Sequence, residues 1–286
     1  LQKIKIITLA INFIEDHLTE KIDLDEVAQA VHYSKYHLHR MFNNTVGITI
    51  HHYVQRRQLT EAAKLLVFSN KSILDIALLA GYESQQAFTN IFKAMYKKSP
   101  HQFRESEEYY PLQLEFVFDE KFGLLDENKP ATTREITFAT EEDISSWMDL
   151  VRLVIDGFPY LNEKEHTKVL KQNIAERRAL IMKEGDIAIG IMMICYTTGS
   201  IDFLGVHPLY RKQGIAREFL DKAISELLKN KNITITTFRE GDKADIGHRR
   251  ALKELGFAEA ELLTEFGYPT QKMVLPKQLQ ESANDE

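Results

Sequence analysis

The sequence predicts two domains of different class, an all-α unit built on tandem helix-turn-helix motifs and a mixed α/β unit after it. Three observations carry this. The chain has 286 residues, enough for two domains of ordinary size. A helix–turn–helix pattern in the first hundred residues recurs about fifty residues later, with Ser34 matching Ser84. From Arg134 onward, strand-like and helix-like runs alternate. The boundaries read as 1–108 for the first domain, 109–132 for a linker and 133–286 for the second domain.

The first copy of the repeat is DLDEVAQAVHYSKYHLHRMFNNTVGITIHHYV, from Asp23. The second is SILDIALLAGYESQQAFTNIFKAMYKKSPHQF, from Ser72, with one extra residue before its second serine. Asp23 with Glu26, and Ser72 with Asp75, have capping-box spacing for the first helix of each copy. Ser34 and Ser84 stand where N-caps of the second helices belong. Leu38, Met41 and Phe42 recur at i, i+3, i+4, as do Phe88, Ile91 and Phe92, giving each second helix one buried stripe. Gly81 sits in the intervening turn, where positive φ is easy. Thr49 to about Val67 reads as one long helix, a rigid spacer between the copies.

The outer faces point to chemistry. Lys35, Tyr36, His39 and Arg40 remain on the first second-helix, and Gln85, Gln86, Thr89, Asn90 and Lys93 on the other. These residue types read base edges and clamp phosphates, and acids are nearly absent from both faces. One such face alone is most simply a solvated surface; two in tandem favour double-stranded DNA as partner. Charge is consistent with this. The chain carries −6 overall, but residues 1–108 carry +1 and the remainder −7, with seven of the ten histidines in the first part.

Over residues 6–104 the sequence resembles the AraC family of transcription regulators. Ser34-Lys35-Tyr36-His37-Leu38-His39-Arg40-Met41-Phe42 and Glu83-Ser84-Gln85-Gln86-Ala87-Phe88-Thr89 are similar to the recognition helices of its Mar/Sox/Rob subgroup. Ser99-Pro100 followed by Phe103-Arg104 resembles the closing signature. The resemblance implies a domain reading two adjacent major grooves, with Tyr36, His39, Arg40, Gln85, Gln86, Thr89 and Asn90 facing bases. Asn90 stands where that subgroup commonly has arginine, so the second half-site is expected to be read differently or more weakly.

Residues 105–133 change character, from the acidic ESEEYYP to the breaker cluster DENKPATT. PLQLEFVF between them alternates as a strand would. The second domain then reads as strand REITFA, a helix from Glu141, a helix over 163–178, a hairpin of ALIMK and IAIGIMMIC about Glu184-Gly185-Asp186, and strand IDFLGV. A helix to about Leu228, strand ITITTF, a helix over 245–255 and strands GFAEAELL and QKMVL follow.

One turn stands out. Strand IDFLGV ends at Val206, and Arg211-Lys212-Gln213-Gly214-Ile215-Ala216 leads into a helix. A basic glycine turn at a helix N-terminus offers free N–H groups and the positive end of the helix dipole to an anion. It matches neither the nucleotide P-loop nor the dinucleotide fingerprint. The pattern Val206-x-Pro208-x-x-Arg211-x-x-Gly214-x-Ala216, with Leu255-Gly256-Phe257 later, resembles the GNAT acetyltransferase superfamily over about residues 133–276. That resemblance implies a GNAT acyl-CoA N-acyltransferase fold with acetyl-CoA as cosubstrate. The pyrophosphate would lie on Arg211 to Ala216 and the pantetheine beside Leu204, Gly205 and Val206, with Asp245 at the position where many members place an asparagine on CoA. The family's usual tyrosine acid is replaced by Leu252, which has no proton to give. Tyr160 and Tyr268 fall in segments that line the acceptor side in the family, and Asp202 and Glu240 are candidate bases. A backbone N–H near Val206 would hold the oxyanion.

Other readings are blander. Cys195, the single cysteine, ends an apolar run and reads as a buried small hydrophobe in a reducing compartment. No metal is expected, because His37-x-His39 and His51-His52 lack a third ligand at sensible spacing. The longest apolar run, 187–196, is about half of the ~20 residues a membrane helix needs. The N-terminus shows no cleavage signature. The reading is a cytoplasmic transcription regulator whose acetyl-CoA-binding domain acetylates an amine, a small molecule before a protein. The alternative is a regulator whose degenerate second domain only senses acetyl-CoA or another effector.

Overall fold

The computed structural model describes residues 2–118, 134–154, 163–211 and 213–277, which fall into two compact units. In the first, helices α1 (Gln2–Asp16), α2 (Leu24–Ala30), α3 (Lys35–Val46), α4 (Ile50–Phe68), α5 (Ile73–Leu79), α6 (Gln85–Tyr96) and α7 (Pro100–Glu105) follow one another. Their ends are set by side chains. Asp23 and Glu26 form a reciprocal capping box on α2. Ser34, Thr49 and Ser84 each accept an N–H of the first turn of α3, α4 and α6. Ser72 caps α5, but the Asp75 carboxylate takes the Ser72 hydroxyl rather than the cap N–H. Gly81 adopts φ +75°, as the turn between α5 and α6 requires.

Leu38 and Phe42 on α3, and Phe88 and Phe92 on α6, are fully buried. Phe92 stacks on Tyr96 at 4.4 Å and meets Phe103 edge-on at 5.4 Å, so α7 closes the second motif. Arg104 donates to the carbonyls of Leu66 and Lys71, satisfying the end of α4 and the turn after it. Helix α4 joins the two motifs and, at 1.5 Å per residue, its 19 residues span about 28 Å.

The strand read in PLQLEFVF does not form. Residues 109–118 run extended along α4 without a sheet partner among the described residues. Leu112, Gln113, Phe116 and Phe118 are buried, Leu114 is half-buried, and Glu115 and Val117 face out, so burial alternates only over residues 115–118. Side chains of α4 replace a partner strand: Thr60 Oγ1 accepts from the N–H groups of Leu112 and Gln113. Arg56 and Arg57 donate to the carbonyls of the same two residues. The apolar pattern belongs to a chain lying on a helix, not to a ladder.

The second unit holds helices α8 (Ile144–Val154), α9 (Glu163–Ala175), α10 (Ile215–Lys222) and α11 (His248–Glu254). Its strands are β1 (Ile136–Phe138), β2 (Ala179–Glu184), β3 (Ile187–Cys195), β4 (Ser200–Val206), β5 (Ile233–Phe238), β6 (Ala258–Glu265) and β7 (Tyr268–Leu275). Among the described residues these form one seven-stranded sheet in the order β1-β2-β3-β4-β5-β7-β6. Only β4 and β5 run parallel, and they pair at Ser200↔Thr234 and Ile201↔Ile235 alone. Beyond Ile201 the edge of β4 toward β5 has no strand partner among the described residues, and the sheet forks.

Two glycines set the helices on opposite faces. A Cβ on Gly205 would touch Val154 of α8 at 3.2 Å. A Cβ on Gly190, opposite Val206 in the β3–β4 register, would lie 2.6 Å from the Phe219 ring and 2.8 Å from Ile215. Gly190 therefore lets α10 sit close on the sheet. Three sequence expectations are adjusted. The helix after Gly214 widens into a π-turn over Ala223–Leu227, and α11 starts at His248 rather than at 245. Cys195 is half-exposed at the end of β3, and the Thr198 hydroxyl beside it lowers its thiol pKa.

Candidate functional site

On the first unit, α3 and α6 present matched surfaces. Tyr36, Arg40, Gln85, Gln86 and Asn90 are exposed, and His39 and Thr89, at matched positions, are half-buried. The Arg40 guanidinium and the Lys93 ammonium have no hydrogen bond or ion pair among the described residues. Lys35 instead pairs with Asp25 of α2, and that carboxylate raises its pKa. Its use on a phosphate requires exchanging that partner. Gln86 Nε2 donates to Asn90 Oδ1 at 3.1 Å, one turn along α6.

On the second unit, the turn after β4 is a backbone construction. His207 extends the β3–β4 ladder by donating its N–H to Ile189, and its ring caps a single 3₁₀ turn, Pro208–Tyr210. Burial, with Arg211 nearby, lowers the His207 pKa to about 3, so the imidazole is neutral near neutral pH. Gly214 takes φ +84° and starts α10 with no side-chain cap. The space about it is open: an added Cβ would meet nothing within 4 Å. Among the described residues, no group accepts from the N–H of Gly214, Ile215, Ala216 or Arg217. Lys212 lies outside the described residues.

A side-chain network steadies this turn. Arg134 Nη1 donates to Gln213 at 2.8 Å, Nη2 pairs with Glu184 at 3.0 Å, and the guanidinium lies 5.1 Å from the Tyr210 ring centre. Leu204 and Val206 are half-buried and Gly205 is buried, all on the open edge of the fork. This arrangement fits an acyl-CoA. Among the described residues, the fork gives an extended chain an unpaired strand edge, and the turn gives a pyrophosphate N–H groups without an acceptor and a glycine that leaves room.

The catalytic candidates do not converge. Asp202 is exposed, accepts from the Ser200 hydroxyl and lies one residue beyond the last β4–β5 pair, near the joined end of the fork. Glu240 lies in the turn after the end of β5 and is also exposed. Tyr268 is buried, and its hydroxyl donates to Asp242 at 3.0 Å. Asp245 Oδ1 accepts from the N–H groups of Gly247 and His248, holding the turn that starts α11. Leu252 is buried. Tyr160 lies outside the described residues. Among the described residues no group of three or more His, Cys, Asp or Glu could hold a metal ion, and no helix is long and apolar enough to cross a membrane.

Sequence reasoning missed several contributors. Arg134 and Glu184 are linked to the turn only by folding, so no local pattern announces them. Gly190 did leave a signal, as the single glycine in an otherwise apolar strand. His166 on α9 was also passed over. Its Nε2 is buried with no partner, its ring meets Phe203 of β4 edge-on at 5.7 Å, and burial lowers its pKa. Phe203 lies two residues beyond the last β4–β5 pair, inside the fork.

Fold and surfaces together define the class: a tandem helix-turn-helix unit joined to an α/β unit of acyltransferase type. Residues 27–106 match the family model described as a helix-turn-helix domain, and residues 157–274 match the acetyltransferase (GNAT) domain. The transcriptional activator AarP of Providencia stuartii is 41% identical over 105 residues, 37% of this chain and 78% of its own length. The multiple antibiotic resistance protein MarA of Salmonella typhimurium is 39% identical over 94 residues, 33% of this chain and 74% of MarA. The uncharacterized regulator YbfP of Bacillus subtilis is 40% identical over 100 residues, 35% of this chain and 34% of YbfP, so the match spans only about a third of that relative. By its helix-turn-helix unit the chain belongs to the AraC-type, Mar/Rob-like transcription regulators.

Proposed function

We propose that this protein is a cytoplasmic, sequence-specific DNA-binding transcription regulator whose second unit binds acetyl-CoA and transfers its acetyl group to an amine, a small molecule rather than a protein. DNA contact belongs to Lys35, Tyr36, His39, Arg40, Gln85, Gln86, Thr89, Asn90 and Lys93. The pyrophosphate sits on Arg211, Lys212, Gln213, Gly214, Ile215 and Ala216, with Asp245 beside the cofactor chain. The observation that carries the second half is the fork of β4 from β5, ending in the open turn at Gly214, where α10 starts without a side-chain cap. In the reaction, the neutral amine attacks the thioester carbonyl and loses a proton to a base. The thiolate leaves and takes up a proton. Asp202, Glu240 and His166 are the candidate bases, and Tyr160 and Tyr268 the candidate acids. The description of MarA as a multiple antibiotic resistance protein supports a toxic amine as both acceptor and inducer.

Buried Leu252 favours a second reading, in which the site keeps the ligand and has lost the chemistry, so that the unit acts as a sensor. Thiol release from acetyl-CoA in the presence of a panel of amines separates the two. Amine-dependent release supports transfer. Binding without release, across the panel, leaves the sensor.

A further inference from the structure

The two recognition helices differ where the repeat makes them comparable. With Ser34 matched to Ser84, Tyr36 falls on Gln86 and Arg40 on Asn90, and both pairs are exposed. On α3 the position holds an unpaired guanidinium, whose donors suit the two acceptors of guanine, N7 and O6. On α6 the same position is half of an amide pair, Gln86 Nε2 to Asn90 Oδ1 at 3.1 Å.

That bond fixes what the pair offers to a base. It uses one N–H of Gln86 and one lone pair of Asn90. The Gln86 carbonyl oxygen remains as an acceptor and the Asn90 amino group as a donor. Turning over both amides gives the same result, one oxygen and one NH₂ outward. One acceptor beside one donor complements adenine, which offers N6–H₂ and N7 in the major groove. It opposes guanine, whose O6 would face the pair's oxygen. Each side chain also holds the other in place, so less freedom is lost on binding.

We propose that the second half-site is read at this position as A·T by the Gln86–Asn90 pair, while Arg40 reads G·C at the matched position of the first. The operator is therefore chemically asymmetric although the protein is an internal repeat. This rests on the DNA-reading function proposed above and deepens it.

The test uses the full chain and selection from randomised duplexes, followed by fluorescence anisotropy on single-base variants of the selected site. At one position of the second half-site, A·T should bind about ten-fold more tightly than G·C. 7-Deazaadenine there, lacking the N7 acceptor, should lose most of that preference. Asn90→Arg should move the preference to G·C, and the Gln86→Ala/Asn90→Ala double variant should erase it. Neither should alter a guanine requirement that depends on Arg40. A wild-type preference for G·C, indifference at every position of the second half-site, or an A·T preference surviving in the double variant would each overturn the inference. Absence of any selected sequence would instead overturn the DNA-reading function itself.

Discussion

The recognition helices α3 and α6 and the turn before α10 present positive potential with different parts of the chain. The helices do it with side chains: Arg40 and Lys93 stand unpaired on exposed faces, over stripes of Leu38 and Phe42 or Phe88 and Phe92. The turn does it with backbone: N–H groups around Gly214, a positive φ, and a strand edge left open by the fork. A side-chain reader can be changed one base at a time. A backbone reader is changed only by altering chain conformation or access. The first should evolve in specificity, and the second should tolerate little at its glycine.

The sharpest way to break this comparison is Gly214→Glu. It forces a side chain into φ +84° and adds a negative charge where N–H groups gather. Acetyl-CoA affinity by calorimetry should fall more than about a hundred-fold, while DNA affinity stays unchanged. Next, Arg40→Ala should cost about 1–3 kcal/mol at a single base-pair position, measured on single-base duplex variants. Lys93→Ala should instead weaken all sequences and lower the salt slope by about 1.

The third prediction concerns pH. His207 stays neutral in the fold down to about 3, whereas an unfolded imidazole gains its proton near 6.5. Between those values the unfolded state binds more protons, so stability is present above about 6.5 and lost as pH falls. From pH 7 to 5 the second unit should lose about 2 kcal/mol. Trp147, the only tryptophan in the chain and fully buried in α8, reports it by fluorescence in urea titrations. His207→Asn should flatten that dependence. The smallest effects belong to the caps: Ser34→Ala and Ser84→Ala should each cost the first unit about 1 kcal/mol of stability and affect its two half-sites separately.

Legibility followed the same divide. The helical unit was readable because its signals are local. Ser34 and Ser84 cap the helices their spacing suggests, and Leu38, Met41 and Phe42 are buried at i, i+3, i+4, as are Phe88 and Phe92 with Ile91 half-buried between them. The α/β unit gave up its strands and its glycine turn, because Val206 through Ala216 are contiguous in sequence. Its supports were hidden. Arg134, Glu184 and Gln213 meet only across the folded chain, and the fork depends on where β4 and β5 stop pairing. The alternating sequence of residues 111–118 misled because helix α4, with Thr60, Arg56 and Arg57, supplies what a neighbouring strand would. Asp245 belongs to the turn before α11 rather than to the helix, because its carboxylate holds the N–H groups two and three residues ahead.

The measurement that tests the central claim most directly is calorimetric titration of the full chain with acetyl-CoA, run in parallel on the Gly214→Glu variant, with DNA binding by both as the control. The account predicts saturable binding by the wild type, its loss in the variant, and equal DNA affinity in the two. Binding that survives Gly214→Glu, or no binding by the wild-type chain, would contradict it.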